Sequence, residues 1–283
     1  MKMRVVRTVE DLRKEVAEWR RKDLSIGLVP TMGALHDGHV TLAGRSVETM
    51  DRTIATLFVN PKQFGPNEDL KTYPRDENRD SELLDNIGVD LLFAPTPEVM
   101  YPAEYATGVK VSGLGDILEG EYRPGFFDGV ATVVSKLLNQ AGADRAFFGE
   151  KDYQQLLVIR RMSRDLDIPV VIEGVPTVRD KDGLALSSRN AYLTDQERHI
   201  APVLFETISS VAKRYVEGVS PGDLEDWGRK KILDAGFQDV DYLTIRDAEN
   251  LGAVDCHIVG RPTRVLVAAF LGKARLIDNV AAG

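Results

Sequence analysis

Short apolar runs alternate with helix-period segments through the first two thirds of the chain. Residues 8–21 place Val9, Leu12, Val16 and Trp19 on one face of a predicted helix. The run SIGLV at 25–29 predicts a buried strand that ends at Pro30. A helix is predicted over 39–49, a second buried strand over 53–59, a helix over 77–86, and a strand over 89–94 closed by Pro95. Segments 130–140, 146–148, 153–166 and 170–175 continue the alternation. Apolar strands separated by helices predict an α/β fold, a parallel sheet with helices on both faces. Ligands of such sheets bind at the carboxyl ends of the strands.

The pattern changes after about Thr194. Residues 194–216 read as one long helix, opened by the cap signal Thr194-Asp195-Gln196-Glu197. Ser220-Pro221-Gly222-Asp223 opens another helix to about Ala235. Strands follow near 239–245 and 264–271, with 274–279 as a third. The expected organisation is an α/β domain over 1–185 and a smaller C-terminal α+β domain over 186–283.

Composition narrows the function. Apolar residues make up 43% of the 283, enough for a proper core. Lys plus Arg is 36 against 44 Asp plus Glu, a net charge of −8. That balance argues against a general nucleic-acid binder, which needs basic patches. The single cysteine, Cys256, permits no intramolecular disulfide. No secretory signal or membrane span is evident, so the expected compartment is the cytoplasm.

Four polar segments fall at or just after predicted strand ends. The first is PTMGALHDGH, residues 30–39. Gly33 and Gly38 let backbone approach a ligand closely, and the following helix start favours an anion. His36 and His39, three residues apart, can converge on that anion and stabilise charge growing on a triphosphate. A solvated turn or a metal pair would explain the same two histidines. The second is FVNPKQFGP, residues 58–66, where Gln63 can donate and accept toward a ligand with hydroxyl and carboxylate groups. Taken alone it is a turn. The third is FGEKDYQQ, residues 148–155, with Lys151 placed to meet a phosphate and Gln155 on the next helical turn. An isolated charged surface turn reads the same way. The fourth is RDKDGLALSSRN, residues 179–190, whose hydroxyls and guanidinium suit a clamp on phosphates. An interdomain linker is its alternative. The chain contains no Walker A loop, nucleophile elbow or CxxC pair. His199 reads as structural, and Cys256-His257 carries no catalytic pattern.

Taken in order, PTMGALHDGH, FVNPKQFGPNEDLKTYPR, RPGFFDGVATVV, FGEKDYQQL and PTVRDKDGLALSSRN resemble the pantothenate synthetase family of the nucleotidyltransferase superfamily. The likeness runs the length of the chain and is densest over 29–193. It implies a Rossmann-like N-terminal domain, with the C-terminal domain closing over the active site. It implies ATP-dependent joining of pantoate to β-alanine through a pantoyl-adenylate, with AMP and pyrophosphate released, Mg²⁺ as cofactor, and a homodimer.

Carried over by position, Met32, Gly33, His36, Gly38 and His39 match ATP contacts, and His39 matches the proton donor. Gly149, Glu150, Lys151, Asp152, Val178, Leu186, Ser187, Ser188 and Arg189 match further ATP contacts. His39, His36, Lys151 and Arg189 are the expected catalytic residues. Gln63 and Gln155 match pantoate contacts, with Gln63 bordering the β-alanine site, and Asp80 matches an acidic position associated with the metal. One departure stands out: Phe126 follows Arg-Pro-Gly where many members have histidine. The rival enzymatic reading is a cytidylyltransferase that stops at nucleotide transfer. The rival from another class is a nucleotide-sensing scaffold, against which the intact His36, His39, Lys151 and Arg189 argue.

Overall fold

The computed structural model describes residues 2–66 and 68–283. The chain forms two compact units, one of residues 1–150 and 154–176, the other of 151–153 and 177–283.

In the first unit the elements run β1 (Arg4–Val6), α1 (Val9–Arg20), β2 (Ile26–Thr31), α2 (Asp37–Thr49), β3 (Arg52–Leu57), α3 (Glu77–Ile87), β4 (Leu91–Phe93), short helices α4 (Pro97–Met100) and α5 (Glu119–Tyr122), α6 (Phe126–Ala141), β5 (Arg145–Gly149), α7 (Tyr153–Asp165) and β6 (Val171–Val175). The six strands are all parallel, in the order β1-β4-β3-β2-β5-β6. Alternation along the strands feeds both faces, as a doubly covered sheet requires. Leu28, Ile54, Leu91 and Phe93 pack with α1 and α6 residues such as Leu12, Phe127 and Val130. Ala55 and Leu92 pack with Ala43, Leu84 and Val89. Val29 packs with Leu42, Phe147 and Val175.

The strand expected to stop at Pro30 continues to Thr31. Pairing of β2 with β5 ends at Leu28, so no rung on that side needs the N–H that Pro30 lacks. Chain order reverses beside β2: β3 and β4 lie on one side of it, and β5 and β6 on the other. The carboxyl ends of β2 and β5 therefore flank a topological switch point, where such sheets bind ligands.

The second unit packs α8 (Asp195–Ile200), α9 (Val203–Val216) and α10 (Pro221–Asp234) with an antiparallel sheet of β7 (Asp239–Asp247), β8 (Thr263–Leu271) and β9 (Ala274–Ala282). Leu204, Ile208, Val211 and Tyr215 recur at helical spacing and join Ile245, Val265, Val267 and Leu276 in one core. The single helix expected over 194–216 is two helices. The capping box opens α8 as expected, with Glu197 N–H donating to Thr194 Oγ1 and Glu197 Oε2 accepting from Thr194 N–H. Pro202 then supplies no N–H and clashes with a continuing turn, so α9 restarts after it. Residues 177–185 pack with this second unit, where Leu184 joins the core. Among the described residues no helix is long and apolar enough to cross a membrane.

Candidate active site

The loop between β2 and α2 is built backward from the helix start. His36 is the N-cap of α2, and its Nδ1 accepts from Gly38 N–H at 3.1 Å. His39 Nδ1 accepts from His36 N–H at 3.3 Å, closing a capping box made of two imidazoles. Their ring centroids lie 4.2 Å apart. A nitrogen that accepts carries no proton, so the ring proton of each imidazole sits on Nε2. Capping thus fixes the tautomer that can donate to an anion.

Gly38 is required for this arrangement. A Cβ there would lie 2.8 Å from His36 Cε1 and 2.9 Å from His36 Nδ1. Gly38→Ala is expected to push the ring off its cap. The cost is about 1 kcal/mol of stability and about tenfold in kcat/KM for ATP. Thermal unfolding and steady-state kinetics of the variant check both figures.

The preceding turn is strained. Gly33 has φ 87° and Ala34 has φ 52°, the left-handed region that costs a non-glycine residue about 1–2 kcal/mol. Asp80, on α3, compensates. Its Oδ2 accepts from Ala34 N–H at 2.8 Å and its Oδ1 from Leu35 N–H at 2.9 Å. Asp80 is 0% exposed. Both oxygens are thus engaged by backbone in a sealed position, and Asp80 does not fit the metal role expected for it. Among the described residues no group of three or more His, Cys, Asp or Glu side chains is arranged to hold a metal ion.

The second loop, at the end of β3, meets the first. Gln63 Nε2 lies 3.1 Å from Met32 Sδ, and Gln63 Oε1 accepts from Asn60 Nδ2 at 3.0 Å. Asn60 is almost fully buried. It also donates to Gly129 O at 3.1 Å, while its Oδ1 accepts from Tyr101 Oη–H at 2.7 Å. Burial, and behind it Tyr105, pushes the Tyr101 phenol far above its ordinary range, which keeps that hydroxyl a donor. The orientation of the Gln63 amide is therefore set by its neighbours.

Arg123 holds the outer side of the same loop. It bridges both oxygens of Glu68, at 2.8 and 2.7 Å, and donates to Gln63 O at 3.3 Å. Its guanidinium lies 3.7 Å from the centre of the Phe126 ring. Phe126 thus gives Arg123 an aromatic platform, a contact that orients the arginine without competing for its donors.

Gln155 lies on α7, partly exposed, and its side chain makes no hydrogen bond to a described residue. Its neighbour Gln154 is buried and spent on structure, donating to Leu114 O and Ile117 O and accepting from Glu119 N–H. Gly149 ends β5, and Glu150 to Asp152 form a single helical turn after it.

The remaining expected residues belong to the second unit. Leu186 N–H donates to Val178 O at 3.0 Å, and Arg179 bridges Ala185, so 178–186 form a short hairpin. Arg198 ties its tip by pairing with Asp180 and Asp182. Ser187 follows and caps a helical turn, Ser188–Tyr192, with its Oγ accepting from Arg189 N–H at 3.2 Å. Lys151, Ala185, Ser187, Asn190 and Asp278 line one cleft of this unit. Lys151 and the Ser187 segment, 36 residues apart, are thereby brought together. Asn60, Tyr101, Glu68 and Arg123 were not singled out by sequence, because each acts through a partner distant in the chain.

A family model described as pantoate-beta-alanine ligase matches residues 4–281. A pantothenate synthetase from Paramagnetospirillum magneticum is 55% identical over 276 residues, covering 98% of this chain and 96% of the relative. The crystal structure of pantothenate synthetase from Thermus thermophilus superposes with a TM-score of 0.92 at 47% identity, covering 98% of this chain and 99% of that one. A pantoate-beta-alanine ligase from Francisella tularensis, solved in complex with beta-gamma ATP and beta-alanine, has a TM-score of 0.83 at 33% identity. It is matched over 98% of this chain and 97% of its own.

Proposed function

The chain belongs to the pantoate–β-alanine ligase family, and on that premise we infer how its own residues carry the reaction. The activity is ATP-dependent condensation of pantoate with β-alanine, releasing AMP and pyrophosphate. A carboxylate is a poor acyl donor because oxide is a poor leaving group. Pantoate's carboxylate oxygen therefore attacks the α-phosphorus of ATP, and the bond from that phosphorus to the bridging oxygen of pyrophosphate breaks. The amine of β-alanine then attacks the acyl carbon of pantoyl-adenylate, AMP leaves, and the amine gives up a proton.

The observation that carries this assignment of roles is the reciprocal capping of His36 and His39 at the start of α2. It supports two Nε2–H donors directed at charge that grows on the phosphates. Met32, Gly33 and Gly38 supply close backbone around the nucleotide, and His39 serves as proton donor. Gln63, locked by Asn60 and Met32, and the uncommitted Gln155 take the hydroxyls and carboxylate of pantoate. Neutral glutamines satisfy that ligand without neutralising the carboxylate, whose nucleophilicity the first step needs. Lys151 and Arg189, with Gly149, Glu150, Asp152, Val178, Leu186, Ser187 and Ser188, complete the nucleotide contacts. Lys151 makes no ion pair with a described residue, so its charge is available to a phosphate. Mg²⁺ enters the proposal as the counterion of ATP, with no carboxylate of this chain assigned to it. We further propose that the enzyme is a homodimer, as the family resemblance implies, and that it works in the cytoplasm.

Radiolabelled pyrophosphate exchange tests the stepwise route. Label is expected to enter ATP when pantoate is present and β-alanine is withheld. Exchange that strictly requires β-alanine would exclude a free pantoyl-adenylate.

A further inference from the structure

The last strand, β9, carries two consecutive buried polar residues, Asp278 at 4% and Asn279 at 3% exposure. Consecutive side chains of a strand leave on opposite faces, so each residue serves a different layer. Asp278 shares its face with Leu276, in the core of the second unit. There it receives both arms of Arg179, at 2.6 and 2.8 Å. Arg179 also donates to Gly183 O at 3.0 Å and Asn279 O at 3.2 Å, and its guanidinium lies 4.0 Å from the centre of the Phe205 ring. Every one of these contacts fixes the root of the 178–186 hairpin, whose exit is Ser187–Arg189.

Asn279 works on the other face. Its Oδ1 accepts from Arg264 Nε at 2.6 Å, and the Arg264 guanidinium stacks 3.9 Å from the centre of the Tyr153 ring. Arginine only donates, so this contact decides which end of the amide is which. Nδ2 is left facing Lys151 O and donates to it at 2.8 Å. Asn279 thereby fixes the backbone that carries Lys151. The two segments anchored in this way line the same cleft, with Lys151 and Ser187 both on its wall.

We propose that Asp278 and Asn279 are a positioning pair for ATP activation, one residue setting the Ser187–Arg189 segment and the other setting Lys151. Neither side chain is required to touch the nucleotide. Two adjacent residues on a strand paired along its length with β8 hold two loop segments at a fixed spacing. The inference rests on the reading of Lys151 as a phosphate contact.

A double-mutant cycle tests it, with pantoate-dependent pyrophosphate exchange as the readout and circular dichroism confirming that each protein is folded. Asn279→Ala is expected to lower kcat/KM for ATP by about tenfold, with KM for pantoate within about twofold of wild type. In a Lys151→Ala background the same change is expected to add less than about twofold, because a residue that acts through Lys151 has nothing left to position. Asn279→Asp keeps the acceptor for Arg264 and loses the donor to Lys151 O; it should reproduce the ATP defect should the alanine variant fold poorly. Arg179→Lys keeps a charge for Asp278 but loses the fork, and should raise KM for ATP several-fold.

Losses that multiply in the double variant would overturn the coupling to Lys151, leaving Asn279 a structural residue. Arg179→Lys with wild-type ATP kinetics would remove Asp278 from the pair. Wild-type kinetics in Lys151→Ala alone would bring down the phosphate-contact reading itself, and this inference with it, a result distinguishable from either of the others.

Discussion

Replacing His39 by alanine is expected to lower the rate of adenylation by about 10²–10³, the usual effect of losing one donor aimed at developing charge. The fold should largely survive. His39 contributes one capping contact, from its Nδ1 to His36 N–H, and a lost cap costs about 1 kcal/mol. The two effects are separable because they use different atoms of one ring. Nδ1 serves the helix, and Nε2 is the atom proposed to serve the substrate. Single-turnover formation of pantoyl-adenylate reads the second, and thermal unfolding reads the first. A variant that loses stability but adenylates at the wild-type rate would make His39 a cap and nothing more.

That double use of one ring shows where sequence reading succeeds and where it stops. The β2–α2 loop was legible because its neighbours in space are its neighbours in sequence: a strand, two glycines, and histidines at the cap and third position of a helix. The parallel sheet was legible for a similar reason, since continuous apolar runs in helix-separated strands have few other solutions. β1 escaped because three residues, one of them exposed Val5, make too short a pattern. The long helix over 194–216 was overextended because apolar periodicity outweighed the breaker at Pro202.

In the site, the hidden parts are those defined by distant partners. Asp80 reaches Ala34 across 46 residues, Arg123 reaches Glu68 across 55, Arg179 reaches Asp278 across 99, and Asn279 reaches Lys151 across 128. No spacing rule connects such pairs. The residues proposed to meet ATP and pantoate were named from the sequence, whereas Arg123, Asp278 and Asn279 were not, and the structural role of Asp80 was not.

Asp80 offers the sharpest test of that distinction. Asp80→Asn preserves shape and volume but exchanges one acceptor oxygen for an NH₂ donor. Ala34 N–H and Leu35 N–H each need an acceptor, and the native carboxylate provides one to each. In the variant one of these N–H groups must face a donor in a position sealed from water. The loss is roughly 2–3 kcal/mol of stability, the worth of a charge-assisted bond that is left unmade.

A functional loss of similar size should accompany it. Ala34 holds a left-handed φ of 52° at the N–H that donates to Asp80, and two residues later the chain reaches His36. A turn that relaxes there moves both imidazoles. A misplacement of about 1 Å at a reacting centre is enough to cost about 10² in rate. Asp80→Asn is accordingly expected to lower kcat/KM for adenylation by about that factor, with no recovery when Mg²⁺ is raised well beyond saturation. A metal ligand behaves otherwise: weakening its grip raises the Mg²⁺ requirement, and excess ion restores the rate. Titrating Mg²⁺ against pyrophosphate exchange in the variant decides between them. Full rescue by Mg²⁺ would return Asp80 to the metal; a flat response leaves it as the carboxylate that holds the histidine loop in shape.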